Sequence, residues 1–158
     1  MDKGNFSFTD DSNLYPYFTR TVNNNGIAGY VHYLDEEHKI SGNVLGVGML
    51  QMKFFYMDHD FYAGQFTKTV VPLFQGFNEA VGQYFAVWFN KSSEKYKAGV
   101  VGDFDRLFYD TTVKVPIKDG NLDVQFICNY INKAQEIILQ RIEDEAKTKI
   151  EAYKNSMF

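Results

Sequence analysis

This 158-residue chain has one cysteine, Cys128, so it cannot form an internal disulfide. That usage fits a reducing compartment, and the expected location is the cytoplasm. No stretch approaches the ~20 apolar residues that a membrane helix needs. The first residues, MDKGNFSFTDD, contain no apolar core of a secretion signal. An excess of positive charge is also missing. Sixteen Lys and Arg face twenty Asp and Glu, for a formal net charge of −4. No bulk basic field surrounds the molecule, so any nucleic acid must be met by a local patch.

Catalytic motifs are absent as well. There is no P-loop and no GxGxxG. The glycine-rich cofactor loop and the (Asn/Asp)-Pro-Pro-aromatic tetrapeptide of methyltransferases are also missing. Cys128 falls on the packed side of an expected helix, where a free thiol behaves as a small hydrophobe. Asp58-His59-Asp60 reads as a solvated turn, because adjacent side chains of an extended chain point to opposite faces. Glu145-Ala146-Lys147 echoes half of a nuclease site, but residues two apart on a helix do not share a face. The expectation is no catalytic residue, no metal and no cofactor.

What the chain does have is aromatic residues, 17% of the total. That favours a folded, sheet-rich body over disorder. Short β-type runs cover Tyr15 to Thr21, Ile27 to Tyr33, Gly42 to Val47, Lys53 to Met57 and Tyr62 to Phe66. The first two are joined by Asn23-Asn24-Asn25-Gly26, a hairpin signal because Asn and Gly tolerate positive φ. Phe77, Val81, Phe85 and Trp88 recur at helical spacing, with Asn78 placed to cap. Ser92 to Asp105 reads as a loop, and within it Gly99-Val100-Val101-Gly102 has the spacing of a GxxG clamp. Thr111 to Ile117 reads as a strand.

From Leu122 to Tyr153, apolar residues recur every three or four positions without Gly or Pro. They predict a helix about 45 Å long. Its distal half, with Glu143-Asp144-Glu145, is expected to project and pair with another helix. The expected fold class is therefore α/β in the α+β sense, a twisted mostly antiparallel or mixed sheet with packed helices. Residues 1–121 form the body, and 122–158 the long C-terminal helix.

Arg20 and the three asparagines offer donors and acceptors at one hairpin tip. Arg pairs well with guanine and Asn with adenine, so Arg20, Asn23, Asn24 and Asn25 are candidates for base or phosphate contact. Lys53, Lys95 and Lys97 are candidates for the DNA backbone.

The order of these landmarks carries a resemblance. YPYFTRTVNNNGIAGYV, from Tyr15 to Val31, is followed by SGNVLGVGMLQMKFFYMDHDFYAGQF, from Ser41 to Phe66. VGDFDRLFYDTTVKVPIKDGNLDVQFICNYI, from Val101 to Ile131, then leads into the long helix. The chain resembles the target recognition domain of specificity subunits in type I restriction–modification systems and in related type II enzymes that combine cutting and methylation. The resemblance spans Tyr15 to Ile131. It departs from the family after Val47-Gly48, where Met49-Leu50-Gln51-Met52 stands in place of a small polar stretch.

Such a resemblance implies a non-catalytic host-defence component that reads one half-site of a bipartite sequence in double-stranded DNA. A methyltransferase subunit and a restriction subunit would supply the chemistry. The terminal helix would pair with a second copy or a second half-subunit. The competing reading is a non-enzymatic protein- or ligand-binding module that dimerises through the same helix.

Overall fold

The computed structural model describes residues 8, 9, 11, 14–97 and 102–156, in two units that divide after Val115. In the first unit, strand β4 (Val44–Gly48) lies between β5 (Lys53–Met57) and β7 (Thr67–Val70), antiparallel to both. A second sheet has the order β1 (Phe8–Thr9), β3 (Ile27–Val31), β2 (Tyr15–Phe18) and β6 (Tyr62–Ala63). The β2–β3 pair is antiparallel, as a hairpin requires, whereas β2 and β6 run parallel. The mixture of antiparallel and parallel sheets with packed helices is the expected α+β class.

Strand β4 explains why two layers meet here. Its side chains alternate between faces. Leu45 and Val47 enter one core, with Phe54, Ala86, Phe89, Tyr96 and Phe104. Val44 enters another, with Phe18, Met57 and Phe61. Between them on that second face stand Gly46 and Gly48, whose missing side chains let β2 cross closely. A Cβ on Gly46 would lie 2.8 Å from Phe18 Cζ, and one on Gly48 would lie 3.2 Å from Arg20 Cα.

Helix α1 (Glu79–Lys91) begins where expected, with the Val81 N–H donating to Asn78 Oδ1 at 3.1 Å. It packs on β5 at Gly82, beside the ring of Tyr56. Phe54 is the hub of this side, with ring centroids 5.2 Å from Phe89, 5.7 Å from Tyr96 and 6.1 Å from Phe108.

Several sequence expectations are corrected. The segment read as a loop contains helix α2 (Ser93–Lys97), and Phe104 and Asp105 open helix α3 (Phe104–Tyr109). Tyr96 and Phe104 are buried and hold these short helices against the sheet. The GxxG spacing falls largely on residues 98–101, outside the described residues. The strand expected from Tyr62 to Phe66 stops at Ala63, because Phe66 turns the chain at φ 57° and a new strand, β7, starts at Thr67. Thr111 to Pro116 is not a strand. Thr111 instead closes α3, its hydroxyl donating to the Leu107 carbonyl at 2.7 Å.

The second unit holds a small ladder, β8 (Ile117–Lys118) with β9 (Asn121–Leu122), and helix α4 (Val124–Ser156). Asp123 caps the helix by accepting the Phe126 N–H at 2.9 Å. The helix has 33 residues and a length of about 50 Å. Ile127 and Ile131 are its buried residues, and every described position after Ala134 is exposed.

Candidate nucleic-acid interface

The hairpin tip is a short 3-10 turn, Asn23–Gly26, in which Asn24 (φ 46°), Asn25 (φ 51°) and Gly26 (φ 83°) are left-handed. Asn is among the few side chains that enter this region at modest cost, which accounts for the run of amides. Gly26 is required for a second reason, since a Cβ there would meet the buried Phe18 ring at 2.3 Å. The tip is tied down by the Thr19 N–H, which donates to the Gly26 carbonyl at 2.7 Å. The Asn24 amide donates to the Ile27 carbonyl at 3.4 Å, while all three asparagines remain exposed.

Arg20 lies directly over Gly48, and Gly48 pairs with Lys53 on one side and Thr67 on the other. Three strand ends therefore gather Arg20, Lys53 and Phe66 at the Gly48 end of β4. The Arg20 guanidinium carbon sits 5.4 Å from the Phe66 ring centroid, a cation–π contact. Phe66 is 57% exposed and left-handed, an uncommon state for a bulky residue. Its hold is the Met49 N–H, which donates to the Phe66 carbonyl at 2.9 Å.

The cations divide into two sets. Lys39, Lys68, Lys97 and Arg106 each have a carboxylate partner. Arg20 and Lys53 have none among the described residues, and neither do several others, Lys91, Lys95, Lys114 and Lys118 among them. The structure thus joins Arg20 and Lys53 at the Gly48 end of β4, whereas Asn24 and Asn25 line a cleft that includes neither cation. It does not bring Lys95 and Lys97 to them. Those two lie on α2, whose Tyr96 packs on the opposite face of β4. Lys95 Nζ donates to the Thr111 hydroxyl at 3.0 Å, and Lys97 is paired with Glu94. Sequence reasoning missed Phe66, because an isolated aromatic at a turn gives no periodic signal.

Asn24 and Asn25 also stand at the edge of an open cleft of about 1310 Å³. One wall is the hairpin sheet, with Tyr15, Ile27 and Tyr30; the other is α1, from Glu79 to Asn90. Strand β5 from Phe54 to Met57 runs between them, continuing into Asp58-His59-Asp60. No Lys or Arg lines this cleft among the described residues. Burial raises the Tyr56 phenol above its usual pKa, and the nearby carboxylates of Asp58 and Glu79 raise it further. Asp58 pairs with His59 at 2.8 Å. Burial pushes its carboxyl up, but the hydrogen bond and charge of His59 outweigh that and leave it below the usual range. No group of three or more His, Cys, Asp or Glu side chains among the described residues is arranged to hold a metal ion.

No helix among the described residues is long and apolar enough to cross a membrane. No family model matches this chain, nor does any curated protein or solved structure.

Proposed function

We propose that this chain is a sequence-specific DNA-recognition component of a restriction–modification system, working in the cytoplasm. It reads one half-site in double-stranded DNA and directs a partner methyltransferase and restriction subunit, without catalysing a step itself. What supports this reading is an exposed tip of three asparagines, together with Arg20 and Lys53, two neighbouring cations with no carboxylate partner among the described residues. Cations position the phosphate backbone and amides read base edges, so the two groups belong together on a DNA-reading surface. The small basic patch and the net charge of −4 predict weak binding by the chain alone. Selection from random duplexes at low salt, with and without a methyltransferase partner, tests it. Enrichment of no sequence, even with the partner present, sinks the proposal.

A second reading is a non-enzymatic module that dimerises through α4. Ile138, Ile142 and Ile150 are exposed along that helix and support pairing. Both readings expect a dimer in sedimentation, but only the first expects a duplex to co-sediment.

A further inference from the structure

Strand β5 is an edge strand, and its open side faces the cleft rather than bulk solvent. In an antiparallel ladder, alternate residues direct both backbone groups away from the neighbouring strand. Phe54 does so here, because its outward N–H and carbonyl are both bonded by the Asn90 side chain at 2.9 Å. The ladder with β4 runs without a register shift, so Tyr56 presents its N–H and carbonyl the same way. Neither has a partner among the described residues. Edge groups of this kind are a template for an added strand.

We infer that the cleft takes an extended, basic polypeptide segment from a partner protein, which adds to the sheet at Tyr56. Asn90 blocks the edge at Phe54 and sets where the added strand ends. Charge complementarity selects the occupant. Asp58, Asp60 and Glu79 line the cleft together with His59, which pairs with Asp58, and no Lys or Arg lines it among the described residues. A phosphate backbone is repelled there, whereas Lys and Arg side chains of a peptide are attracted. Ile27 and Val87 supply apolar wall for alternate side chains, Val87 being 54% exposed. Main-chain bonds then give affinity and the walls give selectivity, as in other strand additions. This proposal does not rest on the DNA reading, although Asn24 and Asn25, which that reading uses with Arg20 and Lys53, stand at the cleft edge.

The test is fluorescence anisotropy on the whole chain with a labelled, capped Lys-Val-Thr-Val-Lys-Val-Lys peptide. Saturable binding is expected, with about tenfold loss when every Lys of the peptide is Glu. N-methylation of the peptide amides facing Tyr56 should abolish binding, while methylation of the alternate amides should leave it. Glu79→Gln, an exposed change, should weaken binding several-fold with an unchanged melting temperature. Absence of saturable binding overturns the proposal, and so does equal sensitivity to methylation in both phases. Displacement of the peptide by a duplex oligonucleotide, with tighter duplex binding by Glu79→Gln, overturns it in favour of nucleic acid. Duplex selection is a separate assay, so absence of peptide binding overturns this proposal and leaves the DNA reading to its own test.

Discussion

The side-chain amide of Asn90 pairs with both backbone groups of Phe54, 36 residues away in sequence. The Phe54 N–H donates to Asn90 Oδ1 and the Asn90 amide donates to the Phe54 carbonyl, each at 2.9 Å. One side chain thereby acts as a one-residue strand on the edge of β5. Asn90→Ala leaves two backbone groups without partners and is expected to cost about 1–3 kcal/mol. Asn90→Asp keeps the acceptor but loses the donor and faces the Phe54 carbonyl with a carboxylate oxygen, so it should not restore the parent's stability. Chemical denaturation measures both, and equal stability of Asn90→Ala and the parent refutes the role.

The Phe18 ring is clamped between Gly26 and Gly46, which it approaches too closely for a Cβ at either. Phe18 is fully buried and has no room to withdraw. Gly46→Ala should therefore cost about 1–3 kcal/mol through overpacking. The same change in a Phe18→Leu background should cost less, giving a coupling energy in a double-mutant cycle. Additive costs show that the clash is not with Phe18.

Readout and scaffold roles of the asparagine tip separate through glycine. Asn24→Gly and Asn25→Gly keep the left-handed backbone but remove the amide, whereas Asn24→Ala adds strain of about 1 kcal/mol. Changed base preference in the glycine variants is expected if the amides read DNA. Unchanged preference with normal stability assigns them to the turn alone.

Arg20→Ala and Lys53→Ala should each weaken duplex binding and reduce the slope of log affinity against log salt by about 1. Lys97 is held by Glu94, so Lys97→Ala should change that slope by much less. Salt titrations of the three variants decide it. An equal effect at Lys97 moves the interface to α2.

The loop after β3 carries an acid-sensitive contact. The Asp35 carboxylate accepts the His38 N–H at 2.8 Å, and its pKa is lowered first by that bond and then by the His38 ring. A depressed carboxyl stabilises the fold above the usual Asp range, and the contribution is lost as pH falls through the lowered value. The Asp35 resonance should titrate below a free Asp, and Asp35→Asn should remove this acid-dependent component. A titration at or above the free value contradicts the assignment.

Local chemistry made some of this legible in sequence. Asn78 capped α1, the apolar repeat foretold α4, and Asn-Gly marked the β2–β3 turn. Each rests on interactions among near neighbours. Strand β7 escaped notice because Thr67-Lys68-Thr69-Val70 has no apolar alternation, and it is held by pairing with β4. Helices α2 and α3 escaped because their segment is polar and carries glycine. Tyr96 and Phe104 become helix anchors only once Phe54 lies beneath them.

The sequence by itself determined which segments turn, cap and run helical, since backbone sterics and side-chain hydrogen bonds act over a few residues. Tertiary structure alone decided which groups share a surface. It set Arg20 above Gly48 beside Lys53, sent Lys95 and Lys97 to another face, and left the edge of β5 open within an acidic cleft. Those outcomes depend on how two sheets cross at Gly46 and Gly48, and close packing between distant segments has no local signature in the chain.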